Sequence, residues 1–333
     1  MLISTKLVLV VVALCHSAYG SNSPLIKKIH GPGVHYEGPH WSPTESSLYW
    51  VDIKGQQVHR LDGSTGNVTT RSIGYGPVTP VVSVKDSPGY LVLCVRTELY
   101  LVRWKTFVDD GALRLLGVMD LGLPDNRCND GKADARGRLW VGTMGKEEKD
   151  VDPDQGALYM VDQDNHADPE VKVRPVSVSN GLAWTRSNKY MFYIDTPTRN
   201  IDVFDFDLDT GMIRNRRTIF SFESNNVTGL PDGMTIDTDG NLWIACFNGG
   251  KVIKVNSVSG KLIEQHKIPA SKVTSVMFGG PELSILYITT SRVGLSATQL
   301  AQQPEAGSLF AIQGTGAKGY PENQFVFPGA ERY

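Results

Sequence analysis

Short apolar runs alternate with polar turns along almost the whole chain of 333 residues. The runs are rich in Val, Ile, Leu and aromatic residues, and most of them are bounded by Gly, Asp, Asn or Ser. Apolar residues at helical spacing are nearly absent. Runs of this kind, separated by turn-forming residues, are typical of β-strands joined by tight hairpins. The pattern therefore predicts an all-β protein.

Six of the apolar runs look alike and begin 43 to 52 residues apart. They are Leu48–Asp52, Leu91–Val95, Leu139–Thr143, Met191–Asp195, Leu242–Cys246 and Leu286–Thr290. A repeat of this length is typical of one four-stranded propeller blade. The sequence therefore predicts a six-bladed β-propeller with four antiparallel strands per blade, which forms a single domain over residues 21–333.

The predicted ring of blades needs a closing contact, because an open array would leave an unpaired strand edge. We expect the stretch Pro24–Ile29 to complete the last blade beside Ser308–Ile312. Large aromatic residues stand at equivalent positions of the repeats, and we interpret them as packing between neighbouring blades. These residues are Tyr49, Trp140, Phe192 and Trp243.

The N-terminus predicts the compartment of the protein. Lys6 precedes an apolar run from Leu7 to Cys15, and small residues follow at 18–20. This arrangement is typical of a signal peptide, so we expect residues 1–20 to be removed and the mature protein to be secreted. Elsewhere no run of about 20 apolar residues predicts a membrane span.

Charge and cysteine content exclude several classes of protein. The formal net charge is −2, and Lys and Arg are scattered, so we expect no partner nucleic acid. Past the signal peptide, three cysteines remain without paired spacing, which predicts no disulfide framework. We expect a monomer. Two acceptor triplets predict N-glycosylation: Asn67-Val68-Thr69 and Asn226-Val227-Thr228.

An acidic or amide residue followed by glycine comes just before the innermost strand of four predicted blades. The pairs are Glu37-Gly38, Asp130-Gly131, Asn180-Gly181 and Asp232-Gly233. Equivalent positions of a propeller form a ring at the mouth of its channel, so four oxygen-bearing side chains should converge there. Converging carboxylates recruit a cation, and this ligand set favours Ca²⁺. The alternative is that these pairs are ordinary turn residues.

Each pair lies in a longer motif, and the motifs together resemble a known family. They are Tyr36-Glu-Gly-Pro-His-Trp41, Arg127-Cys-Asn-Asp-Gly-Lys-Ala-Asp134, Gly142-Thr-Met144, Ser179-Asn-Gly-Leu-Ala-Trp184 and Leu230-Pro-Asp-Gly-Met-Thr-Ile-Asp237. In this order they resemble the successive motifs of the regucalcin (senescence marker protein)/gluconolactonase/luciferin-regenerating family. The resemblance runs from about residue 30 to 320 and implies a metal-dependent lactone hydrolase on the predicted propeller.

The resemblance also implies the metal ligands. It places Glu37, Asn180 and Asp232 around one divalent metal ion, with waters or substrate at the other coordination positions. Ca²⁺ is the expected ion, and Zn²⁺, Mn²⁺ or Mg²⁺ are alternatives for activity. Because the chain has no Gly-x-Ser-x-Gly motif to supply a nucleophilic serine, we expect Asp232 to be the catalytic residue that shuttles the proton.

The resemblance further implies the contacts of a small lactone substrate. Arg127 and Asn129 match substrate-binding positions, and Glu147 falls where another substrate contact is expected. The resemblance thus selects Asn129, whereas the spacing of the glycine pairs selects its neighbour Asp130. The charged segment Lys146–Gln155 should overhang the site and influence the choice of substrate.

Two other functions stay open at this point. One is a secreted propeller that binds calcium or another ligand without turnover. The first repeat, Leu48–Asp52, is also similar to the tyrosine-tryptophan repeats of receptor propellers that bind proteins. The other is a luciferin-regenerating type of enzyme, which would use the same metal in a pocket of different shape. The full polar ring favours an enzyme, because a receptor propeller does not need Arg127, Asn129, Asn180 and Asp232 together.

Overall fold

The computed structural model describes residues 24–106, 113–148 and 150–332. The expected signal peptide at residues 1–20 lies outside the described residues, so its removal and the secretion of the protein stay predictions, as does the monomeric state. None of the helices in the described ranges is long and apolar enough to cross a membrane. The one α-helix among them, α1 (Ala297–Gln302), has six residues.

The described residues form 24 strands, which supply nearly all of the regular structure. In chain order they are β1 (Leu25–His30), β2 (Tyr36–Ser42), β3 (Ser47–Asp52), β4 (Gln57–Asp62), β5 (Val68–Ser72), β6 (Val78–Ser83), β7 (Tyr90–Val95), β8 (Glu98–Arg103), β9 (Arg114–Val118), β10 (Arg127–Ala133), β11 (Leu139–Met144), β12 (Gly156–Val161), β13 (Glu170–Val176), β14 (Ser179–Trp184), β15 (Tyr190–Asp195), β16 (Asn200–Asp207), β17 (Met212–Ser221), β18 (Leu230–Ile236), β19 (Asn241–Phe247), β20 (Lys251–Asn256), β21 (Leu262–Lys267), β22 (Lys272–Gly279), β23 (Ile285–Ser291) and β24 (Leu309–Gln313). Short 3₁₀ turns lie at Trp104–Thr106, Thr196–Thr198 and Ala330–Arg332.

The strands pair into six antiparallel sheets of four strands, which confirms the predicted six-bladed propeller. The first five blades are β2–β5, β6–β9, β10–β13, β14–β17 and β18–β21, and the sixth joins β22, β23 and β24 to β1. The first strands of neighbouring blades contact one another all the way round, including β22 with β2. These six first strands therefore surround the central channel.

The predicted closing contact is confirmed. Strand β1 pairs with β24, so that Leu25 lies opposite Gln313 and Lys28 opposite Phe310. The N-terminal end of the described chain thus supplies the outer strand of the blade that the C-terminal end builds. Pairing of chain ends leaves no gap in the ring and no unpaired edge between its first and last blades.

The aromatic residues of the repeats are packing residues, as predicted. Tyr49, Trp140, Phe192 and Trp243 are all buried. In two blades an aspartate also supports the tryptophan: Asp134 accepts a hydrogen bond from Trp140 Nε1 at 2.9 Å, and Asp237 accepts one from Trp243 Nε1 at 3.0 Å. Each aspartate also accepts backbone N–H groups of the turn that follows it, so one carboxylate fixes both the turn and the core aromatic.

All six channel-lining strands are irregular at the same height. Their registers shift between Glu37 and His40, Val78 and Val81, Cys128 and Gly131, Asn180 and Leu182, Pro231 and Met234, and Val273 and Ser275. Such β-bulges re-aim side chains that would otherwise alternate across a regular strand. The four glycine pairs therefore lie inside β2, β10, β14 and β18. The prediction that they come just before these strands was wrong, because a bulge ends regular pairing without ending the strand.

The C-terminal segment, residues 314–332, crosses one end of the channel, the end opposite to the start of β2 and of the other channel-lining strands. Lys318 O accepts from Thr238 N in blade five, Val326 N donates to Gly137 O in blade three, and Phe325 O accepts from Lys85 N in blade two. Between these contacts Glu322 is inserted beside Lys132 and His40, which belong to channel-lining strands. One end of the channel is therefore covered by the chain itself.

Candidate metal and substrate site

The predicted metal ligands lie at the end of the channel that the C-terminal segment leaves uncovered. Glu37 is on β2, Asn180 on β14 and Asp232 on β18, so three separate blades contribute. All three side chains are buried. Glycine follows each of them, for two different reasons. A Cβ at Gly181 would lie 2.8 Å from the backbone oxygen of Asp232, whereas Gly38 has open space around it but a left-handed backbone with φ of +55°.

Three carboxyl groups at this end affect one another. Burial and the nearby charge of Asp130 raise the pKa of Glu37 to about 8. Burial and the charges of Glu37 and Asp130 raise the pKa of Asp232 well above its ordinary value, and burial raises that of Asp130 as well. The charge of Asp130 thus acts on both Glu37 and Asp232, while the convergence of the glycine-pair side chains on one ion stays a prediction. Ionising all three together needs a compensating positive charge.

The amide of Asn180 joins this group through Asn129. Asn129 Nδ2 donates to Asn180 Oδ1 at 3.1 Å and to the backbone oxygen of Ser179 at 2.8 Å. Its backbone oxygen accepts a hydrogen bond from Thr79 Oγ1 at 2.6 Å, which fixes the bulge that carries it. Asn129 is thus held by contacts to blades two and four, and its side chain lies next to a predicted metal ligand.

Arg127 and Glu147 extend this series of hydrogen bonds towards the rim. We call the series Asn180, Asn129, Arg127 and Glu147 the hydrogen-bonded arc. Arg127 Nη1 donates to Asn129 Oδ1 at 2.8 Å, and Arg127 Nη2 donates to Glu147 Oε2 at 3.3 Å. Lys54 Nζ donates to the same Glu147 oxygen at 2.8 Å. Burial alone would raise the pKa of Glu147, but Arg127 and Lys54 together lower it to about 2. The carboxylate stays ionised between two cations.

A cavity of about 270 Å³ opens beside this arc, and Lys54, Arg127 and Glu147 are part of its wall. The predicted overhanging segment contributes Lys146 and Glu147 to the same wall, next to Gly145. Asp152 N donates to Lys146 O at 3.0 Å, which folds the segment back on itself at the rim. Lys149 of this segment lies outside the described residues. Two of the three predicted substrate-binding residues, Arg127 and Glu147, thus border this space, whereas Asn129 is not part of its wall; the contacts of all three with a substrate stay predictions.

Cys128 lies between Arg127 and Asn129 in the chain but faces away from the site. Its side chain is buried in an apolar cluster together with Cys94. Burial and the neighbouring Cys94 thiol raise the pKa of Cys128 well above its ordinary value. The three cysteines Cys94, Cys128 and Cys246 are all free thiols, as the absence of paired spacing predicted. A buried thiol of high pKa is a poor nucleophile.

The donor set fits a hard divalent cation. Glu37 Oε1 is buried and has no hydrogen-bond partner among the described residues, although a buried carboxylate oxygen normally has one. Carboxylate and amide oxygens are the ligands that Ca²⁺ accepts in irregular geometry. In the ranges that the structure describes, no three His, Cys, Asp or Glu side chains are grouped as metal ligands, so the fit depends on the Asn180 amide.

Sequence reasoning missed two polar residues that contact the arc. Lys54 bonds to Glu147, as described above, and Thr196 accepts a hydrogen bond from Asn180 Nδ2 at 2.8 Å. Both follow the second strand of a blade, two residues after Asp52 and one after Asp195. Because these strands run towards the site end of the channel, aligning the residues that follow the six repeats could have found both.

Comparison with known proteins assigns the family. The model of the SMP-30/Gluconolactonase/LRE-like region matches residues 36–292, which contain every predicted site residue. The chain belongs to this family. Among its relatives, regucalcin of Bos taurus is 39% identical over 287 residues, which cover 86% of this chain and 92% of the relative. Family membership thus confirms the resemblance that the motifs indicate.

Solved structures agree with this assignment. A luciferin-regenerating enzyme superposes with a TM-score of 0.85 at 32% identity, over 92% of this chain and 100% of that structure. A calcium-binding protein, regucalcin from Agrobacterium tumefaciens, superposes with a TM-score of 0.80 at 22% identity, over 90% of this chain and 96% of the other. The second likeness shows that the two proteins share the propeller fold.

Proposed function

We propose that this chain is a divalent-metal-dependent lactonase that hydrolyses sugar lactones and binds Ca²⁺ at the open end of its channel. The observation that carries the proposal is the buried Glu37 Oε1, which accepts no hydrogen bond from the part of the chain that the structure describes and lies under the influence of the Asp130 charge. A cation there relieves the repulsion among these carboxylates. Membership of a family that includes gluconolactonases supports the choice of reaction.

Glu37, Asn180 and Asp232 would hold the metal ion. When bound, such an ion polarises a lactone carbonyl and lowers the pKa of a coordinated water. Ca²⁺ is proposed as the resident ion because all donors are oxygens, and Zn²⁺, Mn²⁺ or Mg²⁺ are proposed as ions that support turnover. Asp130, behind these ligands, adds negative charge to the site and strengthens its preference for a cation.

Arg127 and Asn129 bind and orient the lactone. Arg127 Nε is buried and has no hydrogen-bond partner among the described residues, so it can donate to a carbonyl or hydroxyl oxygen of a sugar and help to fix the ring in place. Both amide N–H groups of Asn129 are donated to Ser179 and Asn180, so Asn129 would exchange one of these bonds for the substrate. Asp232 takes a proton from the attacking water, whose oxygen forms a bond to the carbonyl carbon. The ring C–O bond then breaks, and Asp232 returns the proton to the leaving alkoxide oxygen. The product is the open-chain acid.

A luciferin-regenerating reaction is the second candidate. The observation that favours it is the 32% identity and TM-score of 0.85 to a luciferin-regenerating enzyme. It uses the same metal and the same arc from Asn180 to Glu147. The two candidates differ in the molecule that fills the 270 Å³ cavity at the rim, so substrate assays separate them.

We also propose that the protein acts outside the cell, after removal of residues 1–20. The apolar run from Leu7 to Cys15 supports this. Asn67 and Asn226 are both exposed, which makes them accessible to glycosylation. Expression of the full chain in a secreting cell line, followed by mass spectrometry of the medium, tests all three statements. Protein that stays in the cells with residues 1–20 attached contradicts them.

The lactonase itself is tested by metal removal and replacement. The secreted protein is dialysed against EDTA and assayed with glucono-δ-lactone, related lactones and a luciferin precursor, before and after adding Ca²⁺, Mg²⁺, Mn²⁺ or Zn²⁺. Lactone hydrolysis should fall to background in EDTA and return with at least one ion. Activity that survives EDTA contradicts the metal-dependent mechanism. Ion binding without turnover of any compound contradicts the lactonase and favours a carrier.

A further inference from the structure

One hydroxyl group joins the two blades that carry Asn180 and Asp232. Thr196 follows the last residue of β15 and opens a short 3₁₀ turn. Its Oγ1 accepts a hydrogen bond from Asn180 Nδ2 at 2.8 Å and donates one to the backbone oxygen of Pro231 at 2.8 Å. Thr196 is buried, so water does not replace either bond. The hydroxyl therefore makes a direct link from blade four to blade five.

The first of these bonds sets the direction of the Asn180 amide. An amide group carries its oxygen opposite its NH₂, so fixing Nδ2 on Thr196 turns Oδ1 the other way. There Oδ1 accepts a hydrogen bond from Asn129 Nδ2 at 3.1 Å, which leaves one lone pair free. Without the Thr196 hydroxyl, the NH₂ group has no fixed acceptor and the amide can rotate.

The second bond fixes the backbone that carries Asp232. Pro231 directly precedes Asp232, and the pairing of β18 with β19 is interrupted from Pro231 to Met234. At this bulge the strand does not have its regular ladder of hydrogen bonds to hold it. The Thr196 hydroxyl supplies a bond from the neighbouring blade at the residue where the bulge begins.

We propose that Thr196 is a positioning residue, which holds the oxygens of Asn180 and Asp232 at the spacing that a shared metal ion requires. The inference rests on the metal-dependent function proposed above. Groups that orient metal ligands without touching the metal contribute to affinity because they reduce the freedom that binding would otherwise remove. Here one hydroxyl acts on two ligands from different blades.

The test is Ca²⁺ affinity, measured by isothermal titration calorimetry on EDTA-treated protein. Thr196→Val keeps the shape of the side chain but removes the hydroxyl, and should weaken Ca²⁺ binding about 10- to 100-fold. Thr196→Ser keeps the hydroxyl and should restore affinity to within about threefold of the unaltered protein, because the two hydrogen bonds can form again.

Thr290→Val is the matched control. The buried Thr290 Oγ1 also accepts one hydrogen bond, from Gly307 N at 3.1 Å, and donates one, to Ser308 O at 2.7 Å. Neither partner is a predicted ligand. Both valine variants should lower the melting temperature by similar amounts in EDTA, whereas only Thr196→Val should lose Ca²⁺ affinity.

Three outcomes overturn the inference. Unchanged affinity in Thr196→Val shows that the hydroxyl does not position the ligands. An equal loss of affinity in Thr290→Val shows a general effect of lower stability. If the unaltered protein binds neither Ca²⁺ nor Mg²⁺, Mn²⁺ or Zn²⁺, the proposed metal site fails, and the inference about Thr196 fails with it. The first two outcomes leave the proposed function standing.

Discussion

The two ends of the channel bury the same kind of group in opposite electrostatic surroundings. At the open end, burial and Asp130 raise the pKa of Glu37 to about 8. At the covered end, Glu322 is enclosed to a somewhat smaller degree, and burial again opposes its ionisation, yet Lys132 and His40 lower its pKa below the ordinary value. Lys132 Nζ lies 3.9 Å and His40 Nδ1 3.6 Å from the Glu322 carboxylate.

The difference indicates what each end is for. A buried carboxylate is tolerated when the protein supplies its partner, as at Glu322. At the open end the chain supplies Arg127, whose guanidinium is already bonded to Asn129 and Glu147. Lys132 also offsets part of the charge of Asp130, so the negative charge of Glu37 and Asp232 remains and needs a partner from outside the chain. The covered end is therefore a structural closure, and the open end fits a cation site.

The largest expected effect comes from removing a proposed ligand at the open end. Asp232→Ala should lower kcat/KM for lactone hydrolysis about a thousandfold or more, because it removes both a proposed metal ligand and the proposed proton carrier. Steady-state kinetics at saturating Ca²⁺ measures this loss. Asp164→Asn changes an exposed aspartate in the turn between β12 and β13 and should leave the activity unchanged. Retained turnover in Asp232→Ala would remove this residue from the mechanism.

A smaller effect is expected at the covered end, and it concerns stability. Glu322→Gln keeps the shape of the side chain but leaves the partly buried Lys132 with less compensation. The free energy of unfolding should fall by about 3 kcal/mol. This value is small for the loss of one partner of a buried ion pair, because Asp130 still faces Lys132. Urea unfolding monitored by circular dichroism measures it.

Glu37→Gln is the control at the other end. In EDTA it removes a carboxylate that has no cation of its own, so the free energy of unfolding should stay constant or rise. The comparison between the two ends would be wrong if Glu37→Gln and Glu322→Gln destabilised the metal-free protein equally.

The two ends also differ in how stability depends on pH, with opposite signs. Because the pKa of Glu37 is about 8 in the fold and ordinarily 4.5, the folded state holds more protons between these values. Metal-free protein therefore loses stability as pH rises from about 4.5 to about 8. The lowered pKa of Glu322 contributes stability that is present above 4.5 and lost on acidification.

Melting temperatures at pH 5, 6, 7 and 8, in EDTA and in Ca²⁺, measure this dependence. Ca²⁺ competes with protons for the same carboxylates, so the stabilisation by Ca²⁺ should grow with pH. The increase of this Ca²⁺ stabilisation with pH should be smaller in Glu37→Gln. A stabilisation that is constant across this range would show that Glu37 is not a ligand.

Most of the fold could be predicted from the sequence because each blade is a local structure. Its four strands follow one another through short turns, so the repeat from Leu48 to Leu286 reveals the number of blades without any long-range information. The site residues were found by their common position before glycine and by their motifs. Their placement within the strands was predicted incorrectly, because a bulge depends on how two strands pair and leaves little signal in either one.

The all-β class, the six blades, the closing strand and the family motifs could be recognised from the amino-acid sequence, because these follow from periodicity and from neighbouring residues. Which polar groups meet became visible only in the folded ring. Thr196 reaches from blade four to Pro231, Lys54 reaches Glu147, and Glu322 is inserted beside Lys132. Such pairs are far apart in the chain, and their contacts depend on the curvature of the ring, which no local pattern of residues records.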